Sequence, residues 1–197
     1  MHDLLLFLRA WFRHPRRVGA VAPSGRALAE RITDDILPMD GPVIELGPGT
    51  GAFTRALLAR GVPQHQLALV ESDPAFADSL GERFPQARLL RMDAVHLGQL
   101  GSVFGDERAG AVVSGLPLVA MPMRQAVAIL DGAFRHHLRP DGRFYQFTYG
   151  PRFPVPQRLM ARLGLEAVRV AYVVANVPPA SVYRVRRRAP GPGGLPD

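Results

Sequence analysis

Short apolar runs of strand length recur along the chain, and amphipathic segments with helical spacing separate them. The runs predict five strands: PVIEL (42–46), LALVE (67–71), ARLLR (87–91), GAVVSG (110–115) and GRFYQFTY (142–149). The amphipathic segments predict helices over 24–37, 51–60, 74–84 and 122–138. Two late β-rich segments, 165–177 and 180–188, have no helix of typical length between them. This alternation predicts an α/β fold with a doubly wound, mostly parallel seven-stranded sheet, whose late strands form an antiparallel hairpin at the sheet edge.

The first residues show a different pattern, because large apolar side chains lie beside arginines. Residues 3–13 predict a helix that Pro15 ends. Its apolar stripe is Leu4, Leu5, Leu8, Trp11 and Phe12, next to Arg9, Arg13 and Arg16. Such a helix either lies in a lipid interface or packs on its own domain. We expect one domain over 1–188, with 1–23 as amphipathic helix and connector, and a disordered tail over 189–197.

The amino-acid composition excludes several kinds of functional site and favours an anionic partner. The chain has 197 residues and no cysteine, which excludes disulfides and thiolate sites. No histidine pair has the spacing of a metal motif, so we expect no metal. All 24 basic residues are arginine and the net charge is +7, which favours an anionic partner such as nucleic acid, a lipid headgroup or an anionic membrane surface. No apolar run approaches the roughly 20 residues of a membrane span, and the first residues do not resemble a signal peptide. We therefore expect a cytoplasmic protein with peripheral membrane contact.

The turn after the first predicted strand reads Glu45-Leu-Gly47-Pro-Gly49-Thr-Gly51, an E-x-G-x-G-x-G pattern. Glycine lets the chain turn sharply and lets a ligand approach the backbone. Acids follow the next two strands: Glu71, placed to accept ribose hydroxyls, and Asp93, placed to receive an adenine amino group. Each acid alone also fits an ordinary solvated loop. Three acids at successive strand ends indicate a nucleoside-binding edge.

This constellation resembles the class I S-adenosylmethionine-dependent methyltransferases over residues 24–187. The resemblance implies that S-adenosylmethionine is the cofactor and S-adenosylhomocysteine the product. It places the methionine part on the glycine turn, the ribose at Glu71 and the adenine at Asp93, while Glu45 orients the turn or meets the amino group through water. The implied cofactor residues are Glu45, Gly47, Gly49, Thr50, Gly51, Glu71, Ser72, Asp93, Ala94 and Ser114.

In this fold the loop after the fourth strand faces the methyl group, and here it reads SGLPL, residues 114–118. Amino-directed nucleic acid methyltransferases typically have N-x-P-Y or D-P-P-Y at this loop. Their Asn or Asp holds a flat amino group, and their aromatic ring stacks on the base. With Pro117 as the motif's proline, Leu118 takes the place of the aromatic residue, and Ser114 and Gly115 before it supply neither an amide nor a carboxylate. The loop therefore has no stacking partner for a flipped base. This departure disfavours a nucleic acid acceptor.

Five stretches together resemble the small bacterial phospholipid N-methyltransferases. They are VGAVAPSGRALA, VIELGPGTGAFTRALLARG, VVSGLPL, QFTYGPRFPVP and NVPPASVYRV. The resemblance implies S-adenosylmethionine-dependent methylation of phosphatidylethanolamine, a phospholipid substrate, in three steps toward phosphatidylcholine at the inner face of the cell membrane. Two alternatives stay open. One is an RNA adenine N6-methyltransferase related to the ribosomal RNA dimethyltransferases, and the other is a non-catalytic membrane-binding module.

The substrate side of the site is expected from residues near the end of the fifth strand. Tyr149, together with Ser114 and Gly115 of the methyl-facing loop, is the candidate catalytic group, because an aromatic face suits an amine that becomes a quaternary ammonium. The candidate lipid-binding residues are Trp11, Tyr149, Arg152, Asn176 and Tyr183, with Arg152 for the phosphate. Edge-of-core packing and a solvated loop charge are the competing interpretations. His136 and His137 are expected at a solvated helix end and are not assigned as bases.

Overall fold

The computed structural model describes residues 23–176 and 178–189. The predicted N-terminal helix, including Trp11, most of the connector and the predicted tail beyond residue 189 lie outside the described residues. No helix within the described ranges is both long and apolar enough to cross a bilayer.

A single sheet organises the described part of the chain, where it has seven strands. The strands are β1 (Val43–Leu46), β2 (Leu67–Glu71), β3 (Arg88–Arg91), β4 (Ala109–Ser114), β5 (Leu138–Thr148), β6 (Leu165–Val173) and β7 (Ala180–Arg187). Their order is β3-β2-β1-β4-β5-β7-β6. The last strand, β7, is antiparallel to both neighbours, and the pairs among β1 to β5 are parallel. The predicted class I methyltransferase sheet, with its antiparallel last strand, is confirmed.

Helices cover both faces of this sheet and form two apolar cores. They are α1 (Pro23–Ile32), α2 (Ala52–Ala59), α3 (Pro74–Arg83), α4 (Met123–Gly132) and α5 (Gln157–Arg162). On one face α1, α2 and α3 bury side chains against the sheet, and on the other face α4, α5 and a 3-10 helix over Ala94–Gln99 do so. The start of α3 follows from sequence, because Asp73 accepts hydrogen bonds from the Ala75 and Phe76 amides and Pro74 takes the first helical position.

Several boundaries differ from the predictions. The first helix ends at Ile32 rather than 37, where the Thr33 hydroxyl bonds to the Ala29 carbonyl at 2.8 Å. The helix predicted over 122–138 ends at Gly132 and continues as one π turn, Ala133–His137. β5 begins at Leu138 and includes residues 139–141, which lie between the predicted helix and the predicted strand. The short helix α5 was not predicted.

The expected exposure of the two histidines is correct for one of them. His136 is exposed, but His137 is buried and its Nε2 lies 2.8 Å from the Leu97 carbonyl oxygen. The π turn rotates His137 inward against the 94–99 helix, so its placement at a solvated helix end was wrong. Burial lowers the pKa of His137, which favours the neutral ring.

Candidate functional site

The carboxyl ends of β1, β2 and β4 meet at one edge of the sheet, with Leu46 paired to Val70 on one side and to Ser114 on the other. The strand order reverses between β1 and β4, since β2 and β3 continue one way and β5 the other. In open α/β sheets, ligands bind in the crevice at this reversal. The glycine turn begins there, directly after β1.

Three left-handed glycines shape the turn. Gly47, Gly49 and Gly51 have φ of 64°, 53° and 71°. A Cβ atom on Gly47 would lie 2.7 Å from Leu116 Cδ2, and one on Gly51 would lie 2.8 Å from Phe84 Cε2. A Cβ atom on Gly49 would meet nothing within 4 Å in the described part of the chain. The outer glycines are therefore closed in by the protein, and the middle glycine faces open space that a ligand can enter.

Glu71 ties this turn to the end of β2. Its side chain is buried, its Oε2 accepts a hydrogen bond from the Gly49 amide at 3.0 Å, and its Oε1 accepts one from the Asp73 amide at 2.9 Å. Each carboxylate oxygen has two lone pairs, so acceptor capacity remains on both. Glu71 therefore holds the turn in shape and keeps lone pairs for hydroxyl groups of a ligand.

Glu45 lies beneath the turn. It is 1% exposed, and its Oε2 accepts a hydrogen bond from the Thr54 hydroxyl of α2 at 2.6 Å. Its Oε1 has no hydrogen-bond partner among the described residues. Burial raises the pKa of Glu45 to about 7, although the bond from Thr54 opposes that shift. Glu45 links β1 to α2 and is poised to change its charge near neutral pH.

This pKa gives a testable dependence of stability on pH. The unfolded chain loses the Glu45 proton near 4.5, whereas the folded chain keeps it until about 7. Between these values the folded state binds more protons, so the contribution of Glu45 lowers the free energy of unfolding by about 3 kcal/mol as pH rises. We expect Glu45→Gln to remove this decline. Denaturant unfolding of both proteins at pH 5 and pH 8 measures the difference, and equal pH dependence in wild type and variant would contradict the assignment.

The remaining cofactor candidates line the same edge. Asp93 is exposed, and its Oδ1 caps the 94–99 helix by accepting from the Val95 amide at 2.9 Å. Ala94 is buried behind it, while Ser72 and Thr50 are exposed. All of them lie in the segments that follow β1, β2 or β3, as the sequence predicts.

Two arginines beside the turn were not predicted. Arg55 of α2 and Arg83 of α3 each donate a hydrogen bond to the Thr50 carbonyl oxygen at 3.0 Å. Burial lowers the pKa of Arg55, and the nearby charge of Arg83 acts in the same direction. The two arginines come from different helices and meet at one carbonyl oxygen, so no local motif indicates this positive charge next to the glycines.

The loop after β4 closes against the glycine turn. The Gly115 amide donates to the Leu46 carbonyl at 2.8 Å, and a Cβ atom on Gly115 would lie 2.6 Å from the Gly47 carbonyl oxygen. Ser114 is fully buried, and its Oγ accepts from the Leu116 amide at 3.3 Å. Leu118 is 2% exposed and belongs to the core. Its side chain therefore offers no surface to an acceptor.

Gln146 is a site residue that the sequence analysis missed. It is 0% exposed and stands between Ser114 on β4 and Tyr183 on β7. Its side-chain amide donates to the Leu116 carbonyl at 2.9 Å and to the Phe147 carbonyl at 2.7 Å. Its Oε1 has no partner within the described residues. The available signal was a lone amide in an otherwise apolar stretch of strand.

The substrate candidates form two neighbouring contacts at the end of β5. The Tyr149 ring lies edge-on to the Phe147 ring, with 5.4 Å between the ring centroids. Burial raises the pKa of the Tyr149 hydroxyl, and the Asn176 side chain beside it opposes that shift. The Tyr183 hydroxyl donates to the Pro151 carbonyl at 2.7 Å. Arg152 is exposed on the loop that this bond holds. The structure thus joins Tyr149 to Asn176, and Tyr183 to the loop of Arg152.

Comparison with known proteins places the chain among methyltransferases. It is 34% identical over 191 residues to an ornithine lipid N-methyltransferase of Singulisphaera acidiphila, which covers 94% of this chain and 97% of the relative. It is 33% identical over 91 residues to a ribosomal RNA small subunit methyltransferase A of Maridesulfovibrio salexigens, which covers 46% of this chain and 33% of that protein. No family model matches the chain.

A solved structure shares the fold. It is a Burkholderia thailandensis 1,6-didemethyltoxoflavin-N1-methyltransferase with bound 1,6-didemethyltoxoflavin and S-adenosylhomocysteine. The TM-score is 0.67 at 18% identity, over 95% of this chain and 89% of the other. At this identity the similarity identifies the fold alone, whereas the ornithine lipid enzyme matches along nearly the full chain.

Proposed function

The chain belongs to the class I S-adenosylmethionine-dependent lipid N-methyltransferases, and on that premise we propose that it methylates the amine of phosphatidylethanolamine and of its mono- and dimethyl forms, toward phosphatidylcholine. We propose that it works as a single domain over 1–188 and as a peripheral protein on the cytoplasmic face of the membrane. The net charge of +7 supports contact with an anionic surface.

The observation that carries this proposal is the loop after β4. Its Ser114 is buried and its Leu118 packs in the core, so it presents neither an amide nor an aromatic ring to a flat base. A small aliphatic amine needs no such ring. A lipid amine therefore fits this loop better than an adenine does, in agreement with the full-length similarity to a lipid enzyme.

The second candidate acceptor is ornithine lipid. The relative matched over 94% of this chain is named for that substrate, whereas the match to the ribosomal RNA enzyme covers 46%. Both lipids carry a primary amine on a head group that also bears negative charge. Arg152, exposed beside the Tyr149 contact, serves as the cation for either the phosphate or the carboxylate.

S-adenosylmethionine supplies, when bound, a methyl group that its sulfonium charge has already activated. The open space at Gly49 fits a ligand against the backbone. The turn near Thr50 would hold the methionine part, Glu71 and Ser72 would hold the ribose, and Asp93 and Ala94 would hold the adenine, with Ser114 in the loop that would face the methyl group. Glu45 supports the turn from below and, once deprotonated, favours a cationic amine above it.

Methyl transfer then depends on placement. The lone pair of the lipid nitrogen forms the new N–C bond as the S–CH₃ bond breaks, and an ammonium substrate must first release a proton. Ser114 and Gly115 fix the loop that borders the transfer path. Tyr149 gives the nitrogen an aromatic face that still attracts it after quaternisation. Proximity and orientation of this kind lower the barrier without a covalent intermediate.

Gln146 is proposed to position the methyl-facing loop, because it holds the Leu116 carbonyl from β5. Gln146→Leu removes both hydrogen bonds of the amide and leaves the Leu116 carbonyl with the bond from the Leu118 amide. We expect kcat for methyl transfer to fall about 10- to 100-fold while cofactor affinity stays within about threefold. Steady-state kinetics with calorimetry measures this split. Gln99→Leu, at an exposed glutamine, is the matched control. An unchanged kcat, or an equal loss of cofactor affinity, would refute the positioning role.

The acceptor assignment is tested with vesicles. Phosphatidylethanolamine vesicles incubated with the protein and methyl-labelled cofactor are expected to yield labelled mono-, di- and trimethyl lipid. Vesicles of phosphatidylcholine alone, which lack a free amine, control for label carried non-enzymatically. Absence of label in every lipid product, from a protein that binds the cofactor, would reject the proposed acceptor.

A further inference from the structure

Four exposed arginines lie on α5, the loop before it and the edge strand β6. They are Arg152, Arg158, Arg162 and Arg169. Many other arginines are ion-paired, but none of these four pairs with an acid within residues 23–176 and 178–189. Arg158 and Arg162 are one turn apart on α5, a spacing at which like charges repel. Positive charge therefore collects here without internal compensation.

These charges cover one continuous surface. The helix α5 packs on β6, which carries Arg169. Arg169 stands opposite Tyr183 on β7, and the Tyr183 hydroxyl holds the Pro151 carbonyl, one residue before Arg152. The ring of Phe153 also lies 5.5 Å from the ring of Tyr183. The loop of Arg152, the helix α5 and the strand β6 are thus connected through contacts with one another and with Tyr183.

Large apolar side chains border the arginines on β6 and the turn after it. Val170 is 38% exposed, Tyr172 is 59% exposed and Val174 is 69% exposed. Since β7 is antiparallel to both β5 and β6, the carboxyl ends of β5 and β6 lie at the same edge of the sheet. Asn176, which lies beside Tyr149, follows Val174 closely. The apolar strip therefore leads to the proposed amine site.

We propose that Arg152, Arg158, Arg162, Arg169, Tyr172 and Val174 form a docking surface for the headgroup region of a bilayer that contains anionic phospholipid. This inference rests on the proposed lipid acceptor, because it specifies which face meets the bilayer that holds it. Arginines attract anionic headgroups, and tyrosine with aliphatic side chains partitions into the interface just below them.

The chemistry favours a bilayer over RNA. Surfaces that bind single-stranded RNA combine positive charge with several aromatic rings on which bases stack. The docking surface has one aromatic side chain, Tyr172, and its other exposed apolar side chain is the valine Val174. Valine offers no stacking face, but it contributes to apolar contact with acyl chains.

Vesicle flotation of the full chain tests the docking surface. The variant Arg158→Gln/Arg162→Gln is expected to partition about tenfold more weakly than wild type into mixed phosphatidylglycerol and phosphatidylcholine vesicles. Arg108→Gln/Arg135→Gln, which removes the same charge from exposed positions just before β4 and β5 that do not belong to the docking surface, is expected to float like wild type. Tyr172→Ser tests the apolar part and is expected to weaken flotation even on phosphatidylcholine alone.

Equal flotation of the wild type, the α5 double variant and Tyr172→Ser would overturn the proposal. It would also be overturned if the α5 double variant lost affinity for RNA and kept its flotation. Methylation of phosphatidylethanolamine in detergent micelles separates docking from catalysis. Normal activity of the α5 double variant in micelles, with weak flotation, supports docking. A wild type that floats as expected but labels no lipid leaves the docking surface standing and rejects the proposed acceptor.

Discussion

Gly49→Val is expected to reduce binding of S-adenosylmethionine by more than about 100-fold while the protein stays folded. Gly49 has φ of 53°, and a Cβ atom at this position meets no protein atom within 4 Å in the described ranges. The valine side chain therefore enters the space assigned to the cofactor rather than the core. Its branched side chain also strains the left-handed backbone by about 1–2 kcal/mol, a cost that a stable domain tolerates.

Gly105→Val is the matched control for this strain. Gly105 has φ of 70°, and its Cβ atom would likewise meet nothing within 4 Å among the described residues. It lies in the loop before β4, at the edge of the sheet away from the glycine turn. Both variants should lose similar thermal stability, but Gly105→Val should keep wild-type cofactor affinity in calorimetry. Normal affinity of a folded Gly49→Val protein would show that the turn does not hold the cofactor.

Tyr149→Ala is expected to lower the rate of lipid methylation about 30- to 100-fold with little change in cofactor affinity. The ring lies edge-on to Phe147 and next to Asn176, at the end of β5. Its removal takes away the aromatic face for the charged nitrogen and leaves the glycine turn untouched. Methylation kinetics and cofactor calorimetry on the same preparation measure the two effects.

Tyr149→Phe separates the ring from the hydroxyl. If the ring face holds the nitrogen, this variant retains most of the activity that alanine loses. Tyr145→Phe, which removes the hydroxyl of a buried tyrosine earlier on the same strand, should leave methylation unchanged. Parallel loss of cofactor affinity and activity in Tyr149→Ala, or unfolding, would indicate that Tyr149 is a packing residue only.

The strand-end positions of the residues proposed for the cofactor were predictable because their signals are local. The strands β1, β2 and β4 are short runs that are buried throughout, and LALVE matches β2 residue for residue. The candidate residues Gly49, Glu71 and Asp93 follow successive strands, and parallel strands bring such positions to one edge. Local sequence and strand order together therefore placed them, and the structure adds the hydrogen bond between Gly49 and Glu71.

The acceptor half depends on contacts between distant segments, which no local pattern encodes. In the sequence Gln146 is one polar residue within a strand, and only the folded structure shows that it binds the Leu116 carbonyl. The six-residue α5 is too short for its apolar spacing to stand out, and the π turn that buries His137 changes the period of the helix before it. For the same reason Arg55 and Arg83 come together at the Thr50 carbonyl only in the folded chain.

The central claim is that the chain transfers methyl groups from S-adenosylmethionine to a lipid amine. Its most direct test is one incubation of the wild-type protein with methyl-labelled cofactor, phosphatidylethanolamine vesicles, ornithine lipid vesicles and RNA, followed by separation of lipid from RNA. Label is expected in the lipid fraction, chiefly as methylated phosphatidylethanolamine, and Gly49→Val should abolish it. Label in ornithine lipid alone would support a lipid N-methyltransferase whose acceptor is ornithine lipid and not phosphatidylethanolamine. Label in RNA with none in lipid would contradict the central claim.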